Sequence, residues 1–229
     1  MQCPSGPPSA AGGRRPGPSQ PGPRLILASR SPRRAELLRR MGFIFDVMEP
    51  DIEENVPERG DPRTLVSALS AGKAEAVLNA VRDGWIVGAD TVVVLDGAIL
   101  EKPASPGHAA EMLSRLSGRT HEVFTGFTLI QALSGRRCSD TERTAVTFRS
   151  LDKWEIDDYV SSGAPMDKAG AYGIQDRSGL FVDRIEGCFY NVVGFPLTRF
   201  YEALKREAPP DVLRKLMSGR DRGRKDPAA

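Results

Sequence analysis

The segment 25–38 constrains the fold of this chain more than any other part of the sequence. Its apolar start, residues 25–28, is typical of a buried strand, and apolar residues recur at helical spacing from Leu37 onward. Between the two, Ser31 precedes Pro32, and these residue types are favoured at the cap and at the first position of a helix. The segment therefore predicts a strand, a tight loop and a helix.

The loop of this segment combines features that favour phosphate binding. Ser29 and Ser31 supply hydroxyl groups, and three arginines lie around the start of the predicted helix: Arg30, Arg33 and Arg34. The first backbone N–H groups of a helix have no partner within the helix and attract anions, and guanidinium groups pair well with phosphate oxygens. A capped helix with solvated arginines explains the same residues equally well, so the pattern needs support from elsewhere in the chain.

Strands and helices alternate through the rest of the sequence. We predict further strands at residues 43–47, 85–89, 92–95, 98–100, 121–130, 138–148 and 180–185, and further helices at residues 61–81, 105–118, 152–162 and from 196 onward. The pair Asp96 and Gly97 predicts a tight hairpin, and the two longest strands predict an antiparallel pair. This pattern is typical of an α/β fold with a mixed sheet and helices on both sides.

Composition limits the number of domains and excludes several classes of protein. A chain of 229 residues holds one substantial domain or two lobes that share a core. Its 32 basic and 30 acidic residues do not indicate nucleic acid as a partner, and no apolar run is long enough to cross a membrane. Cys3, Cys138 and Cys188 lie far apart, so neither a disulfide framework nor a zinc site is predicted, and a reducing, cytoplasmic setting is expected.

The two ends of the chain differ in composition from the rest. Residues 1–23 are rich in proline, glycine and serine and show no hydrophobic period, so we predict a disordered extension. Residues 207–229 finish in a charged run and are predicted to form a disordered tail. The folded body is therefore expected to span residues 24–206.

Several polar residues in the body are candidates for a site. Asp90 follows a buried strand, at the edge of the sheet where open α/β folds bind their ligands, and could act as a general base, a metal ligand or a simple turn cap. Glu53 and Glu54 lie in an acidic loop that is either solvated or metal-binding. Lys73 and Lys102 could each bind phosphate or be an ordinary surface lysine.

The segment 167–175 adds a candidate for base recognition. Its glycines and alanines allow a close approach of the backbone to a ligand, and it ends at Gln175. A glycine-containing loop that binds no ligand would have the same sequence pattern. Taken together, the candidates supply phosphate-binding cations, acidic groups for a divalent ion such as Mg²⁺ or Mn²⁺, and a polar group for a base. These are the requirements of nucleotide hydrolysis, in which charge neutralisation and positioning carry the reaction.

Six motifs occur in an order that is known from a protein family. They occupy residues 29–38, 88–93, 101–103, 117–126, 167–175 and 191–196. With these motifs the chain resembles the Maf family of nucleoside triphosphate pyrophosphatases over nearly the whole body. The resemblance implies an elongated, twisted mixed sheet like that of the inosine triphosphate pyrophosphatases, with two lobes and an active site in the cleft between them.

The resemblance also implies the reaction and the roles of individual residues. Hydrolysis between the α and β phosphates would give a nucleoside monophosphate and pyrophosphate. Asp90 would accept the proton of the attacking water and, with Glu54, hold the divalent metal ion. The triphosphate would be bound by six residues: Ser29, Ser31, Arg33, Arg34, Lys73 and Lys102.

Base preference divides this family, and the divisions are marked at the positions of Arg33, Thr91 and Gln175. The sequence of residues 171–175 resembles the subgroup that acts on dTTP and UTP. A glutamine amide has one acceptor and paired donors, so it can meet the N3–H and a carbonyl group of uracil or thymine. Tyr172 could stack on the base, although packing is the favoured interpretation.

Two other classes of function compete with the enzyme. The family's association with septum formation suggests a nucleotide-binding regulator of cell division, although such a regulator has no need for a water-activating aspartate. The basic run 219–225 suggests a nucleic-acid binder, whose binding would be sensitive to salt. Family members are often homodimers, but no coiled-coil pattern marks an interface in this sequence.

Overall fold

The structure is a computed structural model that describes residues 23–52 and 60–218. Its strands are β1 (Leu25–Ala28), β2 (Asp46–Met48), β3 (Trp85–Leu95), β4 (Ala98–Leu100), β5 (Thr120–Gln131), β6 (Arg137–Phe148) and β7 (Val182–Glu186). Its α-helices are α1 (Pro32–Arg40), α2 (Pro62–Ala76), α3 (Pro106–Leu116), α4 (Lys153–Ser161), α5 (Phe189–Val193), α6 (Leu197–Glu207) and α7 (Pro210–Leu216). Short 3₁₀ helices occupy Leu78–Ala80, Ala164–Asp167, Ala169–Ala171 and Arg177–Phe181.

The strands form one mixed sheet with helices packed against it, which confirms the predicted fold class. Its order is β2-β1-β3-β5-β6-β7, and β4 pairs with β3 outside this path. Strand β1 runs parallel to β2 and β3, whereas β4, β5, β6 and β7 pair with antiparallel neighbours. The long antiparallel pair β5–β6 and the hairpin turn at Asp96 and Gly97 are as predicted, and both turn residues have positive φ angles.

One edge of β3 has a gap between two partner strands. Strand β5 pairs with residues 85–94 along one edge of β3. On the other edge, β1 pairs with residues 85–88 and β4 pairs with residues 93–95. Within the described part of the chain, residues 89–92 therefore have no strand beside them on this edge. Asp90 and Thr91 lie in the gap.

Helix α2 packs unusually close to the sheet beside this gap. The helix begins at the cap Asp61, whose side chain accepts hydrogen bonds from the backbone N–H groups of Arg63 and Thr64. A β-carbon added at Gly88 would lie 2.7 Å from the backbone nitrogen of Ala74, and one added at Gly126 would lie 2.6 Å from the carbonyl oxygen of Val66. Only glycine permits this approach, which brings the last turn of α2 against β3.

Two separate hydrophobic cores lie along the opposite face of β3. The first core packs around Val87 and Ala89 and includes Leu37 of α1 and Phe200 of α6. The second core packs around Val93, with residues of α3 and α4. Each core belongs to one lobe, and the gap in the edge of β3 falls between them, as the predicted cleft between two lobes requires.

The boundaries of four elements differ from those predicted. The predicted strands 85–89 and 92–95 are one continuous strand, β3, so Asp90 lies within a strand and not at its end. Helix α2 ends at Ala76 and continues as the 3₁₀ turn 78–80, and β7 starts at Val182 because a 3₁₀ helix capped by Asp176 occupies the preceding residues. Strand β2 is confined to residues 46–48, since the backbone N–H of Phe43 bonds to Leu38 at the end of α1.

The packed body also extends past the expected boundary at residue 206. Helix α7 buries Leu213 and Leu216 in the first core, and the carbonyl oxygen of Leu216 accepts a hydrogen bond of 2.7 Å from the backbone N–H of Ile44. Residues 1–22 and 219–229 lie outside the described residues. In the part of the chain that is described, no helix has both the length and the apolar character needed to cross a membrane.

Candidate active site

A cleft of about 1040 Å³ opens at the gap between β1 and β4. We name two parts of its lining, the charged end and the apolar end, by their residues. The charged end includes Ser29, Ser31, Arg33, Arg34, Lys73 and Asp90. The apolar end includes Val93, Leu100, Val123, Val192 and Phe189. Further charged side chains also line the cleft, among them Lys102, Asp167 and Lys168. An amphiphilic ligand with an anionic end and a flat apolar end fits such a cleft.

Asp90 and Lys73 form a buried ion pair at the charged end. The Nζ of Lys73 donates to Oδ1 of Asp90, and the two side chains are only 9% and 10% exposed. Within the described residues, no other side chain hydrogen bonds to this carboxylate. The close packing of α2 at Gly88 is what brings Lys73 to this position, two residues along β3 from the glycine. Lys73 therefore holds Asp90 in the cleft, and its contact with the triphosphate stays a prediction.

Arg34 reaches the edge of β3 from helix α1. It is buried, and its guanidinium group donates to the carbonyl oxygens of Gly194 at 2.8 Å and Ala89 at 2.8 Å. It also donates to the hydroxyl groups of Thr91 at 3.0 Å and Ser29 at 3.4 Å. Its donors are therefore directed at protein acceptors, which the sequence did not predict.

Arg33 lies on the exposed side of the same helix and makes an ion pair with the other lobe. Its Nη1 donates to Oδ2 of Asp167 at 2.7 Å, and its side chain is 27% exposed. Burial opposes the ionisation of Asp167, but hydrogen bonds from Lys168 and Arg33 outweigh it and lower the pKa of this carboxyl group. A phosphate group that enters the cleft must compete with Asp167 for Arg33.

The remaining predicted residues that the structure describes also line the cleft. The hydroxyl of Ser29 accepts a hydrogen bond of 3.1 Å from the backbone N–H of Ser31, whose own side chain does not cap α1. Lys102 and Gln175 are exposed at the cleft surface. Glu54, the second predicted metal ligand, and its neighbour Glu53 lie outside the described residues.

Tyr172 is a packing residue, as the favoured interpretation held. Its ring makes edge-on contacts with His121 and Phe148, and its hydroxyl lies 2.8 Å from Nε2 of His121. Burial raises the pKa of Tyr172 and lowers the pKa of His121 to about 4. Both groups therefore stay neutral in the second core.

Phe189 is a cleft residue that sequence reasoning missed. Its side chain lines the apolar end and the residue is 43% exposed, which is unusual for a ring beside a core. The signal available in the sequence was an aromatic pair, Phe189 and Tyr190, directly before the motif 191–196. Its exposure depends on how α5 packs, which that pair does not predict.

The residues of the cleft are compatible with a divalent cation that the substrate helps to bind. Among the described residues, no group of three histidine, cysteine, aspartate or glutamate side chains is close enough to hold a metal ion alone. Mg²⁺ is commonly bound by one or two carboxylates together with substrate phosphates and water. The carboxylate of Asp90, at the charged end of the cleft, suits that mode of binding.

Comparison with known proteins places the chain in a family. Two curated relatives are each named dTTP/UTP pyrophosphatase. That of Moorella thermoacetica is 50% identical over 181 residues, covering 79% of this chain and 93% of that protein. That of Photorhabdus laumondii is 48% identical over 183 residues, covering 80% of this chain and 93% of that protein.

The other two comparisons concern a solved structure and a family model. The structure of the Staphylococcus aureus Ham1 protein aligns with a TM-score of 0.46 and 14% identity, covering 81% of this chain and 100% of that chain. The family model described as Maf-like protein matches residues 24–207. Since this match spans most of the sequence, the chain belongs to the Maf-like protein family.

Proposed function

We propose that this protein hydrolyses dTTP and UTP between the α and β phosphates, giving the monophosphate and pyrophosphate. The observation that carries the proposal is the cleft at the gap in β3, in which a buried carboxylate lies beside cationic, hydroxyl and apolar side chains. The names of the curated relatives support the substrate. They give no support to the alternative of a regulator of cell division.

The charged end would take the triphosphate. Ser31 and the start of α1 offer hydrogen-bond donors, and Arg33 and Lys102 offer positive charge. A guanidinium group binds phosphate oxygens through two donors, whereas an ammonium group acts as a point charge. Arg33 would exchange its bond to Asp167 for a bond to phosphate, so substrate entry would break the ion pair that joins the two lobes.

Asp90 would carry the chemical step. Its position in the gap places the carboxylate where a water molecule can lie beside the phosphates, and Lys73 fixes its orientation. Asp90 would take the proton of that water as it attacks, and would help to hold Mg²⁺ or Mn²⁺ together with Glu54. The metal ion would neutralise charge on the phosphate oxygens.

The apolar end would take the base. Phe189 presents an exposed ring, and stacking on an aromatic side chain accepts any base. Selection then requires hydrogen bonds, which the amide group of Gln175 would make with the N3–H and a carbonyl group of uracil or thymine. A site that hydrogen bonds to its substrate discriminates more strongly than an apolar pocket does.

Product analysis tests the proposal. The purified protein is incubated with dTTP and Mg²⁺, and the products are separated by ion-exchange chromatography. We expect dTMP and pyrophosphate in equal amounts. Release of dTDP and inorganic phosphate, or no turnover of dTTP or UTP with either Mg²⁺ or Mn²⁺, would overturn the proposed function.

A further inference from the structure

Arg34 is joined to both neighbours of the proposed catalytic aspartate. Its Nη1 donates to the carbonyl oxygen of Ala89, the residue before Asp90, and its Nη2 donates to the hydroxyl of Thr91, the residue after it. These residues lie in the gap where β3 has neither β1 nor β4 beside it. The guanidinium group thus occupies the place of a missing strand and binds a carbonyl oxygen that a strand would otherwise satisfy.

The contact with Thr91 starts a chain of buried hydrogen bonds. Thr125 donates its single hydroxyl proton to the carbonyl oxygen of Asn191 at 3.0 Å. The hydroxyl of Thr91 accepts from Arg34 and lies 2.9 Å from the hydroxyl of Thr125 and 3.4 Å from the carbonyl oxygen of Gly194, so its own proton has a protein acceptor in either case. Hydrogen bonds in such a chain polarise one another and strengthen each other.

The far end of this hydrogen-bond chain lies in the sheet. The side-chain amide of Asn191 donates to the carbonyl oxygen of Val123 at 2.9 Å and to the hydroxyl of Thr144 at 2.9 Å. Thr125, Thr144 and Asn191 are fully buried. The hydrogen-bond chain therefore connects α1, β3, β5, β6 and α5 in the interior of the protein, next to the cleft.

We propose that Arg34 is a positioning residue that fixes the 89–91 segment and so holds Asp90 in place, and that it is not a ligand of the triphosphate. Four of its hydrogen bonds already go to protein acceptors around the charged end. The hydroxyl proton of Thr91 is likewise used within the protein. This inference rests on the proposed function and deepens it.

Exchange of Arg34 for lysine distinguishes a positioning residue from a ligand of the triphosphate. Lysine keeps the positive charge that a phosphate ligand needs but loses the planar fork that binds Ala89, Thr91 and Gly194 together. We expect kcat for dTTP to fall by about 10- to 100-fold, since small displacements of reacting groups have effects of this size. The Kd of the non-hydrolysable analogue α,β-imido-dTTP with Mg²⁺ is expected to change by less than about threefold.

Arg33→Lys is the matched comparison on the same helix. Arg33 is a proposed phosphate ligand, so its exchange is expected to raise the Kd of the analogue more than it lowers kcat. A rise of tenfold or more in the Kd for Arg34→Lys, with kcat at saturation retained, would overturn the positioning role.

Thr125→Val tests the hydrogen-bond chain at a buried residue that the substrate does not reach. Valine has the shape of threonine without its hydroxyl, and the residue is 0% exposed. We expect a smaller fall in kcat of the same kind, with an unchanged Kd for the analogue. An unchanged kcat in a correctly folded Thr125→Val protein would show that the chain does not position Asp90.

Hydrogen–deuterium exchange of a peptide covering residues 85–95 supplies a readout that needs no turnover. Arg34→Lys and Thr125→Val are expected to speed exchange in this peptide and to leave a peptide covering 106–116 unchanged. If the wild-type protein fails to hydrolyse dTTP, the proposed function falls, and the exchange data still decide the positioning role. Equal exchange rates in the wild type and both variants would refute it.

Discussion

At the scale of single residues, the site depends on charged groups that hold one another in place. The ion pair of Asp90 and Lys73 is almost fully buried, and Arg34 binds the carbonyl oxygen of Ala89 and the hydroxyl of Thr91 on either side of Asp90. Removing one member of a buried pair is costly because its partner is left as an uncompensated charge. The substitutions that inform most about Asp90 are therefore those that keep its shape.

Asp90→Asn is expected to remove activity and to leave the fold. Asparagine keeps an oxygen that can accept from Lys73 but cannot take a proton from water, so kcat for dTTP is expected to fall by about 10²- to 10⁴-fold, the usual contribution of a general base. Steady-state kinetics measure the fall, and near-UV circular dichroism checks the fold. The control is Asp96→Asn in the β3–β4 turn, where the side chain is 68% exposed. Substantial turnover by Asp90→Asn would contradict the assignment of the base.

Phe189→Ala is expected to weaken substrate binding. Stacking of a base on an aromatic ring contributes about 1–3 kcal/mol, so KM for dTTP is expected to rise by about tenfold. Phe189→Tyr keeps the ring and serves as the matched control. If both variants bind dTTP as the wild type does, the base does not stack on this residue.

At the scale of elements, the site depends on pairings between distant parts of the chain. The strand–loop–helix unit, the Asp96–Gly97 hairpin and the β5–β6 pair were all predicted, because each follows from local spacing or turn chemistry. The gap in β3 was not predicted, because it arises only when β1 and β4 pair with the same edge.

The contacts of Arg34 and the place of Phe189 in the cleft were missed for the same reason. The carbonyl partner of Arg34 at Gly194 is 160 positions away in sequence. The exposure of Phe189 depends on where α5 lies. Motifs identified which residues gather at the cleft, but not which of them contact each other.

Gly88→Ala tests the packing of α2 against β3. The added methyl group would lie 2.7 Å from the backbone nitrogen of Ala74, so the helix must move away and carry Lys73 with it. We expect a loss of about 1–3 kcal/mol in the free energy of unfolding, the usual cost of overpacking, together with a lower kcat. Urea denaturation measures the first and turnover of dTTP the second.

Gly107→Ala is the control for that substitution. A β-carbon at Gly107 would meet only the hydroxyl of Ser105, at 3.9 Å, so stability is expected to be unchanged or slightly higher. Equal stability of Gly88→Ala and Gly107→Ala would show that α2 is not held by close contact at Gly88.

At the scale of the whole molecule, the two cores give the lobes independent packing on either side of the cleft. The first core holds α1, α6 and α7 against the sheet, and the second holds α3 and α4. The ion pair between Arg33 and Asp167 spans the two sides. Residues of both lobes therefore line the cleft.

The second core should make stability depend on pH through His121. Burial lowers the pKa of His121 from 6.5 to about 4, so the unfolded chain binds more protons between these values. Stability is therefore full above pH 6.5 and falls as the pH drops from 6.5 towards 4, by roughly 3 kcal/mol at most. Urea denaturation at pH 5 and pH 7 measures the difference.

The second histidine of the chain supplies the control. His108 is exposed near the start of α3, so His108→Gln should keep the pH dependence of the wild type, whereas His121→Gln should reduce it. An unchanged pH dependence in His121→Gln would show that other groups control stability in this range.

The most direct test of the account is a competition among nucleotides in one reaction. Equimolar dTTP, UTP, CTP, ATP, GTP and methylated GTP are mixed with Mg²⁺ and the wild-type protein or Gln175→Ala, and the loss of each triphosphate is followed by ion-exchange chromatography. The account predicts that the wild type consumes dTTP and UTP first, releasing their monophosphates, and that Gln175→Ala loses this preference while turnover persists. Preferential loss of a purine nucleotide from the wild-type reaction, or an unchanged ranking in Gln175→Ala, would contradict it.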